Sequence, residues 1–160
     1  TGWLDQKQVV EETCLKNNGS FIYASNFSIG VHLFFNLNQY VAKLMKPRNE
    51  YQVAIEEIHH TEKKDAPSGT AITLAQELLP YTDKNTWGLN LNTPDTVPIN
   101  ARRESDVKGT HEVSYTSEID TISIKHQAHS RQGFALGALI AAEFIIDKKG
   151  VFNMKDVLGM

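Results

Sequence analysis

The sequence predicts an α+β fold, a mixed β-sheet with helices packed on one face. Helix-periodic stretches near both ends and in the middle enclose short β-branched stretches. Residues 111–117 and 120–128 alternate about Ser117-Glu118 as the arms of an antiparallel hairpin do. Strands gathered after mixed elements favour α+β over a regular strand-helix alternation. Bulk properties agree. In 160 residues, hydrophobic side chains make up 41% and charged ones 22%, ordinary for a globular protein, and the length suits one domain rather than two full-sized ones.

Taken in order, residues 5–16 read as a helix with Asp5 as N-cap, Val9, Val10 and Leu15 as the apolar face, and Asn17-Asn18-Gly19 as the stop. Residues 20–24, Ser-Phe-Ile-Tyr-Ala, read as a strand. A second helix spans 29–45. Its Val31, Phe34, Phe35, Leu37, Val41, Leu44 and Met45 cover more than one narrow stripe, which predicts a largely buried helix ended by Lys46-Pro47-Arg48. The β-branched content of 51–58 favours a strand, 59–69 is a polar loop, and 70–79 is a helix closed by Pro80. With Pro94, Pro98 and many Asn and Thr residues, 81–103 predicts loop with one strand near 97–103. Residues 131–147 form a strongly apolar helix, and Lys148-Lys149-Gly150 suits its C-terminal end. One or two helical turns are expected at 154–158.

Several function classes drop out. One cysteine, Cys14, leaves no internal disulfide framework and no multi-cysteine zinc site. The net charge of −3 argues against nucleic acid. No apolar run approaches the roughly 18 residues of a membrane span. The opening Thr1-Gly2-Trp3-Leu4-Asp5 lacks an initiator Met and the basic and apolar regions of a secretory signal; a piece of a longer chain is the expectation.

One segment concentrates chemistry: Glu56-Glu57-Ile58-His59-His60-Thr61-Glu62-Lys63-Lys64-Asp65-Ala66-Pro67-Ser68-Gly69-Thr70-Ala71. Titratable groups cluster where a strand end meets a loop, and Pro67-Ser68-Gly69-Thr70 opens a helix. The first turn of a helix exposes unpaired N–H groups and a partial positive charge, which suits carboxylate or phosphate. Gly69 lets a ligand approach the backbone. Lys63 and the histidines add cationic donors, and histidine titrates near neutral pH. An anion pocket beside a proton-transfer group is the functional reading. The residues alone also fit a surface histidine pair with ordinary turn capping, and a metal site of His59, His60 and Asp65 has little support, because adjacent side chains rarely face one ion.

The segment Glu57-Ile58-His59-His60, with Lys63, Asp65 and Ala66-Pro67-Ser68-Gly69-Thr70-Ala71, closely resembles the signature of the 4-hydroxy-tetrahydrodipicolinate reductase (dihydrodipicolinate reductase) family of the diaminopimelate route to lysine. Thr1-Gly2, Ala24-Ser25-Asn26-Phe27-Ser28-Ile29-Gly30-Val31, Gly109 with His111, His126, Ser130-Arg131, Phe134-Ala135, Gly137-Ala138 and 151–158 extend the resemblance along the chain. Ser105 stands where a glycine is common, and 81–100 offers no match.

The resemblance implies a soluble cytoplasmic oxidoreductase in which NADH or NADPH gives hydride to a cyclic dicarboxylate. It implies His59 as acid/base group and Lys63 as second proton donor. His60, Ser68, Gly69 and Thr70 would contact substrate, with Arg131 as a further carboxylate partner. Thr1, Gly2, Ala24, Ser25, Asn26 and Phe27 would line the nicotinamide. No metal and no nucleic acid are implied. The organisation expected is 1–28 as the end of a nucleotide-binding domain and hinge, 29–148 as a substrate-binding and oligomerisation domain, and 149–160 as a tail returning toward the nucleotide-binding domain. The sheet is expected to build a homotetramer, with the exposed alternation of 111–128 as an interface. No Gly-x-Gly-x-x-Gly occurs in the 160 residues, so the isolated chain is expected to bind cofactor poorly and not to turn over. The alternatives are a non-catalytic oligomerising module that keeps the anion pocket, and a metal-dependent hydrolase.

Overall fold

Five strands form the larger sheet of the computed structural model, which describes residues 2–160. The chain runs through a 3-10 turn (Leu4–Gln6), α1 (Lys7–Lys16), β1 (Ser20–Ile22), α2 (Ile29–Met45), β2 (Gln52–His59) and α3 (Gly69–Leu78). A second 3-10 turn (Leu79–Tyr81), β3 (Thr86–Leu89), β4 (Thr96–Arg103), β5 (Thr110–Thr116) and β6 (Thr121–Gln127) follow. α4 (Gln132–Phe144), β7 (Gly150–Phe152) and α5 (Met154–Leu158) complete it. The fold is α+β with a mixed sheet, as predicted. Two packing bodies are present: the residues up to His32 with Gln132–Met160, and Leu33–Arg131. They are cut at other places than the expected stretches 1–28, 29–148 and 149–160.

In the body that contains both chain ends, β1 and β7 pair in parallel, Ser20 with Gly150 through Ile22 with Phe152. Each strand is only three residues long, with the strand-favouring Phe21-Ile22 and Val151-Phe152 side by side. Gly137 of α4 lies hard against the loop after β1; a Cβ there would meet the Phe27 carbonyl oxygen at 1.8 Å, so only glycine fits. Asn153 caps α5 in a reciprocal box with Asp156, and Gly159 ends it in the left-handed region at φ 67°. The N-cap expectation at Asp5 fails. Asp5 sits inside the 3-10 turn, and α1 starts after Gln6 with no side-chain cap bond.

In the other body the strand order is β3-β4-β2-β5-β6. β3, β4 and β2 are mutually parallel, whereas β5 runs antiparallel to β2 and β6 to β5. β2 alternates so that Val53, Ile55, Glu57 and His59 are buried while Gln52, Ala54, Glu56 and Ile58 face the other way. Ile55 pairs with Ile99 on one side and Val113 on the other. These residues join Val97, Leu74 and Leu78 in the core, none of them more than 0% exposed. α3 packs on this face, and α2 joins it through Asn38, whose amide donates to the Leu74 carbonyl at 3.2 Å.

Two expectations are corrected here. The stretch 81–103 holds two strands rather than one. The strand expected near 97–103 is β4, and the added one is β3; Pro98 lies in β4 one residue before the pairing with β2 begins at Ile99, where a missing N–H leaves no ladder bond to β2 unmade. The second helix is not largely buried: Leu33, Leu37, Tyr40 and Leu44 are 46–62% exposed along one stripe.

Candidate active site

Strand β2 continues one residue beyond the predicted strand, and that residue is His59. The alternation therefore carries His59, like Glu57, onto the face occupied further back by Val53 and Ile55. Parallel pairing sets His59 beside Arg103 at the end of β4. Antiparallel pairing sets Glu57 opposite His111, and His111 opposite His126. Four neighbouring strands thus deliver a carboxylate, a guanidinium and three imidazoles to one end of one sheet face.

Glu57 is the centre of the group. Its side chain is 0% exposed, so its charge must be compensated locally. Both terminal nitrogens of Arg103 lie 3.5 Å from Oε1, and the Ser68 N–H donates to Oε2 at 3.0 Å. His59 Nδ1 and His111 Nε2 stand 3.6 and 3.7 Å from that same Oε2. The two rings meet edge to face, 5.0 Å between centroids. Arg103 also donates to the Lys63 carbonyl at 3.3 Å and to the Asp65 carbonyl at 2.7 Å, which ties the loop between β2 and α3 to β4. Within that loop the Ala66–Pro67 bond is cis.

Ser68 is the N-cap of α3. Its hydroxyl accepts from the Ala71 N–H at 3.2 Å and lies 3.0 Å from His111 Nε2. The first regular helical bond runs from the Ile72 N–H to the Ser68 carbonyl, so Gly69, exposed at the first helical position, presents its N–H without an intrahelical acceptor. Thr70 is buried behind it. Lys63 reaches both carboxylate oxygens of Asp65, at 2.7 and 2.8 Å. That pairing holds the exposed Asp65 carboxyl below its usual range.

Burial governs the histidines. It lowers the His59 pKa, with Lys63 and Arg103 acting in the same direction and Glu57 and Asp65 opposing them. His111 is pushed down to about 3, chiefly by burial and then by His59, His126 and Lys63. Burial, with His129 beside it, also lowers His126. At neutral pH the cluster is a set of neutral imidazoles around one carboxylate–guanidinium pair. Glu57, His59 and His111 have ligand atoms close enough to share an ion. However, the Arg103 guanidinium already occupies Oε1 and the Ser68 N–H points at Oε2, so the electrostatics oppose a metal cation there.

The structure brings His59, Lys63, Ser68, Gly69 and Thr70 together on β2, the following loop and the start of α3. His60 follows directly, half-buried, with its carbonyl accepting from the Lys63 N–H at 3.1 Å. Arg131 is exposed, at the last residue of the sheet-bearing body. Ala24, Ser25, Asn26 and Phe27 belong to the other body. There Asn26 Oδ1 accepts from the Ser28 N–H at 2.8 Å, and its carbonyl oxygen lies 2.7 Å from His32 Nε2. Gly2 is exposed, and Thr1 lies outside the described residues. Sequence reasoning quoted Glu57 and His111 without giving either a role, and it missed Arg103. The signal was available in strand parity: Glu57 shares the apolar face of β2, and a polar residue on such a face needs a partner at the same level of the next strand.

Residues 30–158 match the family described as "Dihydrodipicolinate reductase, C-terminus". The chain belongs to this family. Its relatives include the 4-hydroxy-tetrahydrodipicolinate reductase of Christiangramia forsetii, 56% identical over 99% of the chain and 66% of that protein. The same-named protein of Methanosarcina acetivorans is 37% identical over 98% of the chain and 60% of the relative. Among solved structures, the dipicolinate-bound dihydrodipicolinate reductase from Paenisporosarcina sp. TG-14 superposes with a TM-score of 0.65 at 25% identity, covering 93% of this chain and 58% of that one. The chain therefore spans about three-fifths to two-thirds of the length of these reductases.

Proposed function

We propose that the chain is the substrate-binding part of a cytoplasmic 4-hydroxy-tetrahydrodipicolinate reductase, which uses NADH or NADPH in the diaminopimelate route to lysine. One observation carries the reading: His59 and the open start of α3 meet at the Glu57–Arg103 pair, to which the backbone of Lys63 is also tied, in a chain of this family. A cyclic dicarboxylate places one carboxylate on the Gly69 and Thr70 end of α3, where the helix terminus is positive. Lys63 leaves Asp65 to meet ring or carboxylate charge, and His60, Ser68 and Arg131 complete the substrate contacts. When bound, NADH or NADPH supplies the hydride.

The chain fits the nicotinamide end of that cofactor in part. The 24–27 loop follows a strand paired in parallel, the usual place for ligands in such folds, and it is pinned by Asn26 and Gly137. The sequence carries no glycine-rich turn for the pyrophosphate. As negative charge develops on the reduced ring, His59 in its imidazolium form delivers the proton; burial makes that form the stronger acid, while the resting ring is neutral. Gly69, Thr70 and Lys63 hold the substrate in place beforehand. The opposite sheet face, with Thr116, Thr121, Ser123, Lys125 and Gln127 exposed, supports a homotetramer built through the sheet.

Titration calorimetry of the purified chain with dipicolinate tests the substrate site. Binding that disappears in Lys63→Ala is the expected result, and no binding by the unsubstituted chain sinks the reading. Turnover with NADH or NADPH is expected only after the chain is joined to a nucleotide-binding domain. Wild-type-like turnover by the chain alone contradicts that part. Dipicolinate binding with no turnover even when joined would instead favour a non-catalytic anion-binding module.

A further inference from the structure

We propose that Glu57 is the positioning residue of this site: its carboxylate fixes the His59 ring with Nδ1 toward itself and Nε2 toward the substrate, and locks that ring to the start of α3. The proposal deepens the reading above, because the ring it orients is the proposed proton donor.

The position itself is the first argument. Glu57 stands on a strand face where Val53 and Ile55 precede it, at a place where a third aliphatic residue would extend the core. An ionised side chain there is unfavourable unless it is paired and hydrogen-bonded. The chain supplies those partners from two different elements. Arg103 reaches Oε1 from β4, and the Ser68 N–H reaches Oε2 from the cap of α3. One carboxylate thereby connects the strand that carries His59 to the helix end that would hold the substrate carboxylate.

The second argument is the state of the His59 ring. Its Nδ1 is buried without a hydrogen-bond partner, and Glu57 Oε2 faces it at 3.6 Å. A closing movement of about 0.5 Å brings that pair within hydrogen-bonding range. On its other side the ring abuts Gly109, where a Cβ would stand 3.4 Å from Nε2. Gly109 has φ +142°, a backbone conformation side chains rarely adopt, and it keeps that nitrogen uncovered. A carboxylate at Nδ1 favours the Nδ1–H tautomer of the neutral ring. Nε2 is then an open lone pair, and in the imidazolium form it becomes the outward-facing N–H that can be given to the substrate.

The third argument is electrostatic. The charged groups facing His59 are Glu57 on its own strand, Lys63 and Asp65 on the loop, and Arg103 on β4; β5 contributes the His111 ring, which burial keeps neutral. Burial, Lys63 and Arg103 all disfavour the protonated ring. Glu57 is the only buried group among those that favour it, since Asp65 is solvent-exposed. Removing the Glu57 charge therefore removes the main support for the protonated state, and a replacement that still accepts from the Ser68 N–H leaves the start of α3 in place.

The test is imidazole 15N NMR of the 160-residue chain and of Glu57→Gln, which keeps size and an oxygen that can accept from Ser68. In the unsubstituted chain neutral His59 is expected as the Nδ1–H tautomer. In Glu57→Gln that preference is lost and the titration midpoint falls by about one pH unit. An unchanged tautomer and midpoint overturn the proposal. Should the single variant fail to fold, Glu57→Gln with Arg103→Met removes both charges together, and the tautomer is the deciding readout: loss of the Nδ1–H preference supports the proposal, and its retention overturns it. Dipicolinate is absent throughout, so this outcome is independent of whether the chain binds substrate.

Discussion

The two ends of β2 lie on the same sheet and obey the same alternation, yet they do opposite things. At the amino-terminal end Val53 and Ile55 meet Ile99, Val113 and Tyr115 and form a sealed apolar core. At the carboxyl-terminal end the same face carries Glu57 and His59 opposite His111 and Arg103. Burial is almost as complete there, but it encloses charge and imidazole instead of methyl groups. The comparison teaches that one device, strand parity, supplies stability in its first half. In its second half it supplies a desolvated cluster whose protonation is controlled by its neighbours. Parallel pairing of β2 with β4 matters to this division, because it brings the carboxyl ends of both strands, and hence His59 and Arg103, to the same edge.

The sharpest way to break the comparison is to damage the apolar end alone. Ile55 is 0% exposed, and Ile55→Ala leaves a cavity beneath α3. The expected loss is about 2–5 kcal/mol of unfolding free energy in urea titration, with dipicolinate affinity of the folded fraction preserved. Equal loss of affinity would show that the two ends are not separable.

Damage at the other end should show the reverse pattern. In the complete reductase, His59→Gln is expected to lower kcat by roughly 10²-fold or more, as for loss of a general acid, with unfolding free energy changed far less than in Ile55→Ala. Unchanged kcat removes His59 from its proposed role.

The same contrast explains what could be read from the sequence. α2 appears at 29–45 and the hairpin within a residue or two of the predicted arms, because both are specified by local periodicity. β4 appears where a strand was expected, whereas β3 and β7 were missed: β3 is a short strand at the sheet edge, and β7 pairs with β1 from the opposite end of the sequence. In the site, the motif made His59, Lys63 and the Ser68-Gly69-Thr70 turn visible, since they are contiguous. Arg103 was not legible, because it joins the site through a parallel register 44 residues removed, which no local pattern encodes. The exposed stripe of α2 was misjudged for a related reason: apolar residues all round a helix show what can be buried, not what is.

The smallest effect concerns acid. In the folded chain burial holds His111 at about 3, whereas in the unfolded chain it titrates near 6.5. Below pH 6.5 the unfolded state therefore binds the proton that the folded state refuses, and stability must fall as pH drops through the window from 6.5 toward 3. Between pH 7 and pH 5 this one residue accounts for about 2 kcal/mol, and His59 and His126, lowered by burial in the same direction, add to it. His111→Asn keeps a polar group near the Ser68 hydroxyl but cannot titrate. Urea unfolding at the two pH values should show a shallower acid loss in the variant than in the unsubstituted chain. Identical slopes would mean that His111 accepts its proton in the folded state after all. The carboxyl-terminal end of the sheet would then be an ordinary solvated cluster, and the contrast with the apolar end would disappear. The window above pH 5 is the informative one, because Asp65, held below the usual carboxylate range by Lys63, stays ionised across it.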